Sequence, residues 1–320
     1  MTRIVFLDRA TIAPQIALPR PAFAHEWVNH DHTAPDQTGA RLATAKIAIT
    51  NKVRITEDVL RAAPDLELVA VAATGYDCVD LDACAARGVV VCNIRGYSIN
   101  TVPEHVFALL LGLRRNISAY ARDVQNGRWQ AAGQFCFFDH PIRDLSGAVM
   151  GIVGHGAIGT RVGALAQAFG MEVIYAARPD QNDHEAAQAG RVAWPDFCAR
   201  ADVISLHCPL TPATKGLLDR ARFAQMTRRP IIVNTARGAL IDLPALRDAL
   251  AAGQVSAAGL DVACHEPPHP DDLLMELARD PRVIVTPHVA WASDEAQTAL
   301  CQQMTQVLEG FMAGTPINRL

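Results

Sequence analysis

Apolar runs at residues 4–7, 47–49, 68–72 and 89–91 punctuate the first hundred residues, separated by polar stretches of helical character. Strands alternating with helices predict parallel strands joined by helical crossovers. The pattern changes at Asn100, where Val102-Pro103-Glu104 opens a long apolar helix; proline and an acid both suit a first helical turn. It restarts at Ala148, with runs at 148–153, 172–175, 203–206, 230–233, 257–260 and 283–285. That number of strands suffices for a full doubly wound sheet of the dinucleotide-binding type. A last helix, over 293–312, closes the chain. No internal repeat or long linker interrupts the pattern.

The length of 320 residues fits two domains, and a composition 50% hydrophobic and 19% charged is that of a folding chain. With 29 Lys+Arg against 33 Asp+Glu, the net charge of −4 leaves no electrostatic footprint for nucleic acid. The longest apolar stretches, such as 106–113, fall short of the roughly 20 residues a bilayer requires. The start, Met1-Thr-Arg-Ile-Val-Phe-Leu-Asp8, is charged too early for a signal peptide, so a cytoplasmic protein is expected. The 8 cysteines lack CxxC pairing and read as reduced, mostly core thiols. His207-Cys208 and Cys264-His265 are tempting metal ligands, but neighbours on a strand face opposite ways, and no metal site is expected. His25, His30 and His32 lie in a polar stretch and read as solvated, while His105 reads as a packed helical residue.

Gly154-His155-Gly156-Ala157-Ile158-Gly159 directly follows one apolar run and precedes a helical pattern. In that context the first glycine permits a tight turn, the second lets a pyrophosphate approach the backbone, and the third allows close helix–strand packing. Dinucleotide binding is therefore expected. An NAD-binding chain places an acid near the end of the second strand to hold the ribose diol. Here that position, near Ala177, has no acid and is followed by Arg178, which favours NADP, with mixed NAD use as the alternative.

Three further segments fall at or just beyond the carboxyl ends of the later strands, where ligands bind in open α/β sheets: Asn234-Thr235-Ala236-Arg237-Gly238, the stretch from Gly259 to Pro268, and Thr286-Pro287-His288. They supply a guanidinium, a carboxylate and an imidazole. Reduction of a 2-keto acid needs these: a carboxylate clamp, a proton donor, and an acid that holds the donor protonated. Singly, Arg237 reads as a surface residue, Glu266 as a loop charge and His288 as a capped strand end. Their joint placement on consecutive strand ends favours chemistry.

These motifs, with Ala73-Thr74-Gly75-Tyr76-Asp77, Val79-Asp80, Val102-Pro-Glu-His-Val106 and the stretch from His207 to Thr214, resemble those of the D-isomer-specific 2-hydroxyacid dehydrogenases. The resemblance covers about residues 73–318. It implies two Rossmann-like α/β domains with parallel sheets: a substrate domain from residues 1–99 plus 290–320, and a nucleotide-binding domain of 100–289 inserted in it. It assigns catalysis to Arg237, Glu266 and the proton donor His288. Thr74 and Gly75, with Arg237 and His288, would hold the substrate. Gly154, Gly156, Ala157, Ile158, Gly159, Arg178, Cys208, Pro209, Thr214, Thr235, Ala236, Arg237, Asp261 and His288 would hold the cofactor, Asp261 reaching the nicotinamide carboxamide.

Phe135-Cys-Phe-Phe138, Pro141-Ile142 and His288-Val-Ala-Trp291-Ala-Ser293 look most like the glycerate dehydrogenase (hydroxypyruvate reductase) branch, so hydroxypyruvate or glyoxylate is the expected substrate. The departures are the missing acid near Ala177 and Pro103 where alanine is common. The alternative is a nucleotide-sensing corepressor of the same fold; formate dehydrogenase, which pairs its histidine with glutamine, is disfavoured by Glu266. The family implies a homodimer. The apolar helix over 102–113 and the segment 129–138 are expected to carry more hydrophobic surface than a monomer exposes.

Overall fold

The computed structural model describes residues 1–320 and divides into two units, Met1–Ser98 with Ala292–Leu320, and Ile99–Trp291. In the first, β1 (Thr2–Phe6), β2 (His25–Asn29), β3 (Ile47–Thr50), β4 (Leu68–Val71) and β5 (Val90–Cys92) form one parallel sheet in the order β2-β1-β3-β4-β5. Register sets Ile4 beside Ile47, and Ile47 beside Leu68. Every residue of β3 and β4 is buried, as in parallel strands covered on both faces, which is why they read as continuous apolar runs. The helix Asp294–Met312 packs in this unit; Ser293 caps it, accepting from the Ala296 N–H at 3.2 Å, and it buries Leu300, Met304, Val307 and Leu308.

One strand escaped the sequence pattern. His25-Glu-Trp-Val-Asn29 pairs with β1 as an edge strand, and an edge with one neighbour and partial solvent contact tolerates polar side chains that hide the signal. The expectation of solvated histidines is accordingly corrected for two of three. His25 and His30 are half-buried, with the His25 Nδ1 bonded to the Phe23 carbonyl at 2.7 Å, whereas His32 is exposed.

The second unit holds β6 (Val149–Val153), β7 (Glu172–Tyr175), β8 (Val203–Leu206), β9 (Ile231–Asn234), β10 (Ala257–Leu260) and β11 (Val283–Val285), parallel in the order β11-β10-β9-β8-β6-β7. The chain leaves β6 in one direction to form β7, then crosses back to form β8 on the other side. The first sheet reverses in the same way between β1 and β3. In open parallel sheets such a reversal opens a crevice at the carboxyl ends of the two strands.

The helix Thr101–Arg114 corrects a further expectation. Its Val106, Phe107, Leu109, Leu110 and Leu113 are buried in one cluster with Met150, Ile152, Val203 and Val233, because the helix covers a face of the second sheet. It is core, not excess surface. The segment after it does expose aromatics: Phe135 is 88% and Phe138 80% accessible. Cys84, Cys92, Cys198 and Cys301 are buried and Cys264 is exposed; burial pushes the Cys78, Cys84, Cys198 and Cys208 thiols up to about 11, so they stay protonated. No helix is long and apolar enough to cross a membrane.

Candidate active site

The glycine loop stands where the second sheet reverses. Gly154, at φ +106°, follows β6, and a Cβ there would lie 2.6 Å from the His207 carbonyl carbon at the end of β8. A Cβ on Gly159 would meet the Gly154 carbonyl oxygen at 2.0 Å, so the third glycine lets helix Ala157–Ala168 press against the turn. Gly156 is different: its absent Cβ faces nothing within 4 Å. It is also the N-cap of that helix, so no side chain caps the first turn, which begins at Ala157 and Ile158. These are the features of a cradle for a pyrophosphate.

Around the loop, the His155 ring stacks on Tyr175 with centroids 3.8 Å apart. His207 bonds Ser205 Oγ through Nε2 at 2.8 Å, and desolvation pushes its imidazole down to about 4, so it is neutral beneath the loop. Cys208 is half-buried and Pro209 exposed; the Thr214 hydroxyl donates to the Pro209 carbonyl at 2.7 Å and holds that turn. Thr235 Oγ1 is buried without a hydrogen-bond partner, a polar atom that a bound ligand would satisfy. The residues present therefore fit a dinucleotide. Arg178 is exposed and its Nε lies 3.3 Å from Asp180 Oδ1, so an acid that the spacing argument did not count stands on the guanidinium.

The catalytic candidates come from β9, β10 and β11. Asn234, the last residue of β9, folds the following turn: its amide donates to the Arg237 carbonyl at 2.8 Å and its oxygen accepts from the Ala236 N–H at 3.0 Å. A Cβ on Gly238 would stand 2.2 Å from the Ala263 carbonyl carbon. Only glycine lets the Arg237 turn pack onto the backbone that leads to Glu266. Glu266 Oε1 accepts from the Ala263 N–H at 3.0 Å, and Oε2 lies 2.6 Å from His288 Nδ1. An ionised carboxylate only accepts, so Nδ1 carries the proton of that bond and Nε2 is the ring atom left for proton exchange.

His288 holds a left-handed backbone, φ +54°, rare for a non-glycine residue. The buried Asp261 carboxylate enforces it: Oδ1 accepts from Thr286 Oγ1 at 2.5 Å and the Val289 N–H at 3.0 Å, and Oδ2 from the Ala290 N–H at 2.9 Å. The His288 N–H donates to the Asp261 carbonyl at 2.8 Å. His105, expected only to pack, donates from Nε2 to Thr286 Oγ1 at 3.0 Å and joins this network.

In the first unit, Thr74 Oγ1 donates to the Ile94 carbonyl and Asn93 Nδ2 to the Thr74 carbonyl, both at 2.8 Å, which fixes the Thr74-Gly75 loop. Gly75 lines a cavity of about 300 Å³ together with Asn51, Lys52, Arg54, Asp77 and Cys78. The sequence reading missed Asn51, Lys52 and Arg54. Their one signal was polar residues straight after the 47–49 apolar run, at a strand's carboxyl end.

Residues 107–290 match the family described as "D-isomer specific 2-hydroxyacid dehydrogenase, NAD binding domain". The chain is 43% identical to the glycerate dehydrogenase of Methylorubrum extorquens, over 99% of this chain and 98% of that one. It is 35% identical to the hydroxypyruvate reductase of Blautia hydrogenotrophica, over 92% and 91% of the two. A crystal structure of an NADPH-dependent glyoxylate/hydroxypyruvate reductase from Sinorhizobium meliloti, in complex with citrate, superposes with TM-score 0.83 at 26% identity, covering 100% of this chain and 98% of that one. The chain belongs to the D-isomer-specific 2-hydroxyacid dehydrogenases. It is accordingly an oxidoreductase that works with a nicotinamide cofactor on a small hydroxy or keto acid.

Proposed function

We propose that this enzyme reduces a small 2-keto acid, hydroxypyruvate or glyoxylate, with NADPH as the preferred cofactor and His288 as the proton donor. The observation that carries the reading is the 2.6 Å bond between His288 Nδ1 and Glu266 Oε2, at strand ends shared with Arg237. The nicotinamide, when bound, supplies the hydride. Arg237 offers the planar fork that clamps a carboxylate. The Glu266 carboxylate holds the His288 ring and leaves Nε2 to deliver a proton to the oxygen on which negative charge grows. The Thr74 and Gly75 backbone receives the substrate carboxylate.

On this reading the Ile99–Trp291 unit is the nucleotide-binding domain and the other unit the substrate domain. Gly154, Gly156, Ala157, Ile158 and Gly159 cradle the pyrophosphate, Cys208, Pro209, Thr214, Thr235 and Ala236 line the cofactor, and Asp261 meets the carboxamide. Arg178 is the group for a 2′-phosphate; the names of the relatives from M. extorquens, B. hydrogenotrophica and S. meliloti support the substrate class and, for the last, NADPH. The exposed Phe135 and Phe138 support a homodimer, and a cytoplasmic setting suits the reduced thiols. Steady-state kinetics on hydroxypyruvate, glyoxylate and pyruvate, each with NADPH and NADH, test the reading. Highest efficiency with hydroxypyruvate or glyoxylate and NADPH supports it; higher efficiency with pyruvate, or with NADH, overturns the corresponding half.

A further inference from the structure

Asp8 stands two residues past β1, at the reversal point of the first sheet, and is 4% exposed. Across the β1–β3 gap, the residues that follow β3 turn their backbone toward it. The Asn51 N–H lies 2.9 Å from Asp8 Oδ1 and 3.1 Å from Oδ2, the Lys52 N–H 2.7 Å from Oδ2, and the Val53 N–H 3.3 Å from Oδ2. Successive N–H groups converging on one point form an anion-binding nest, and a carboxylate is the anion such a nest takes. Two more bonds close the same turn: Thr50 Oγ1 donates to the Val53 carbonyl at 3.0 Å, and Cys78 Sγ to the Asn51 carbonyl at 3.6 Å. The other side of the turn is a wall of the cavity that Gly75 also lines.

We propose that Asp8 is a positioning residue for the substrate: its carboxylate occupies the nest of residues 51–53 and so fixes the wall of the cavity that Gly75 also lines. The inference rests on the reading that the cavity beside Gly75 receives the keto acid. The N–H groups face Asp8 and not the cavity, so the carboxylate acts on the substrate only through the shape of the turn whose residues Asn51 and Lys52 line the cavity. With the nest filled from within, the turn keeps one shape and its Asn51 and Lys52 keep their places on the cavity wall. Burial holds the Asp8 carboxyl above its ordinary value, and the three N–H groups and Lys52 oppose that rise.

The test is Asp8→Asn, which keeps the shape but replaces one accepting oxygen with an NH2 group facing N–H donors. Expected is a rise of about tenfold in KM for hydroxypyruvate, equivalent to about 1.4 kcal/mol, with kcat within about twofold and NADPH affinity by fluorescence unchanged. An unchanged KM, or equal losses in KM, kcat and NADPH affinity, overturns the proposal. Should the variant not fold, amide hydrogen exchange on the wild type decides. Residues 51–53 should be protected alike with and without oxamate, a non-reducible keto-acid mimic, while Gly75 gains protection with it. Protection of 51–53 that appears only with oxamate overturns the proposal. Gly75→Ala separates the two failures: if it leaves KM unchanged the cavity reading itself falls, and if it raises KM while Asp8→Asn does not, only the role of Asp8 falls.

Discussion

The two units reverse their strand order in the same way, and differ in what stands at the reversal. In the second, Gly156 faces open space and the helix Ala157–Ala168 begins without a side-chain cap. In the first, three converging N–H groups are already taken by Asp8. The same topology thus yields an anion cradle left open for a ligand and another closed by the chain's own carboxylate. Topology supplies the crevice; a single side chain decides whether it binds or supports.

The largest effect should come from the strand ends of the open unit. Arg237→Lys replaces a planar fork with a point charge, and kcat/KM for hydroxypyruvate should fall by roughly a thousandfold or more with the fold intact. Wild-type efficiency in that variant, measured by initial rates, would remove the carboxylate clamp from the scheme.

Next are the glycines, which separate open from closed space. Gly156→Ala should fold normally, because its Cβ meets nothing within 4 Å, yet weaken NADPH by about ten- to a hundredfold as a methyl enters the space a pyrophosphate needs. Gly154→Ala, strained at φ +106° and 2.6 Å from the His207 backbone, should instead lower Tm. Fluorescence titration and thermal melts distinguish the two; a Tm loss confined to Gly156→Ala would invert the contrast.

Arg178→Ala tests the rim of the open cradle and should be milder, about tenfold weaker for NADPH with NADH little changed, since only NADPH carries the 2′-phosphate. Asp180 already stands 3.3 Å from this guanidinium, but an exposed pair contributes only about 0–1 kcal/mol, so a phosphate can displace it. Equal losses with both cofactors would leave the preference without support.

The smallest effect concerns His207 beneath the glycine loop. Its imidazole is pushed down to about 4 by desolvation, below the ordinary 6.5, so the unfolded chain binds the proton more readily than the folded one. The stability this neutral ring contributes is present above pH 6.5 and is lost as pH falls toward 4. Urea unfolding at pH 7.5 and pH 5 should show a fall about 1–2 kcal/mol steeper in wild type than in His207→Gln. Parallel falls would mean the imidazole does not set this limb.

Much of this is legible in the sequence. Strands buried on both faces announce themselves as apolar runs, and the glycine loop and the Arg237, Glu266 and His288 segments sit at short, fixed offsets from them. What was not legible depends on which strands become neighbours. Asp8 and Asn51 are 43 positions apart and meet only because β1 lies beside β3, with β2 displaced to the edge. The bond from His105 to Thr286 spans 181 positions, and neither residue signals the other locally. The polar edge strand itself carries no apolar run, and the Thr101–Arg114 helix was misjudged because its hydrophobicity does not say which surface it meets.

The left-handed backbone of His288 bears on how a bound substrate is to be captured. An inactive variant made for that purpose must not relax the segment from Thr286 to Ala290. Alanine or a β-branched residue at 288 is poorly suited to φ +54°, whereas asparagine visits that region readily. If His288 is the proton donor proposed above, His288→Asn is the variant expected to hold an unreacted keto acid and a reduced cofactor together in a crystal with the backbone of this segment unchanged.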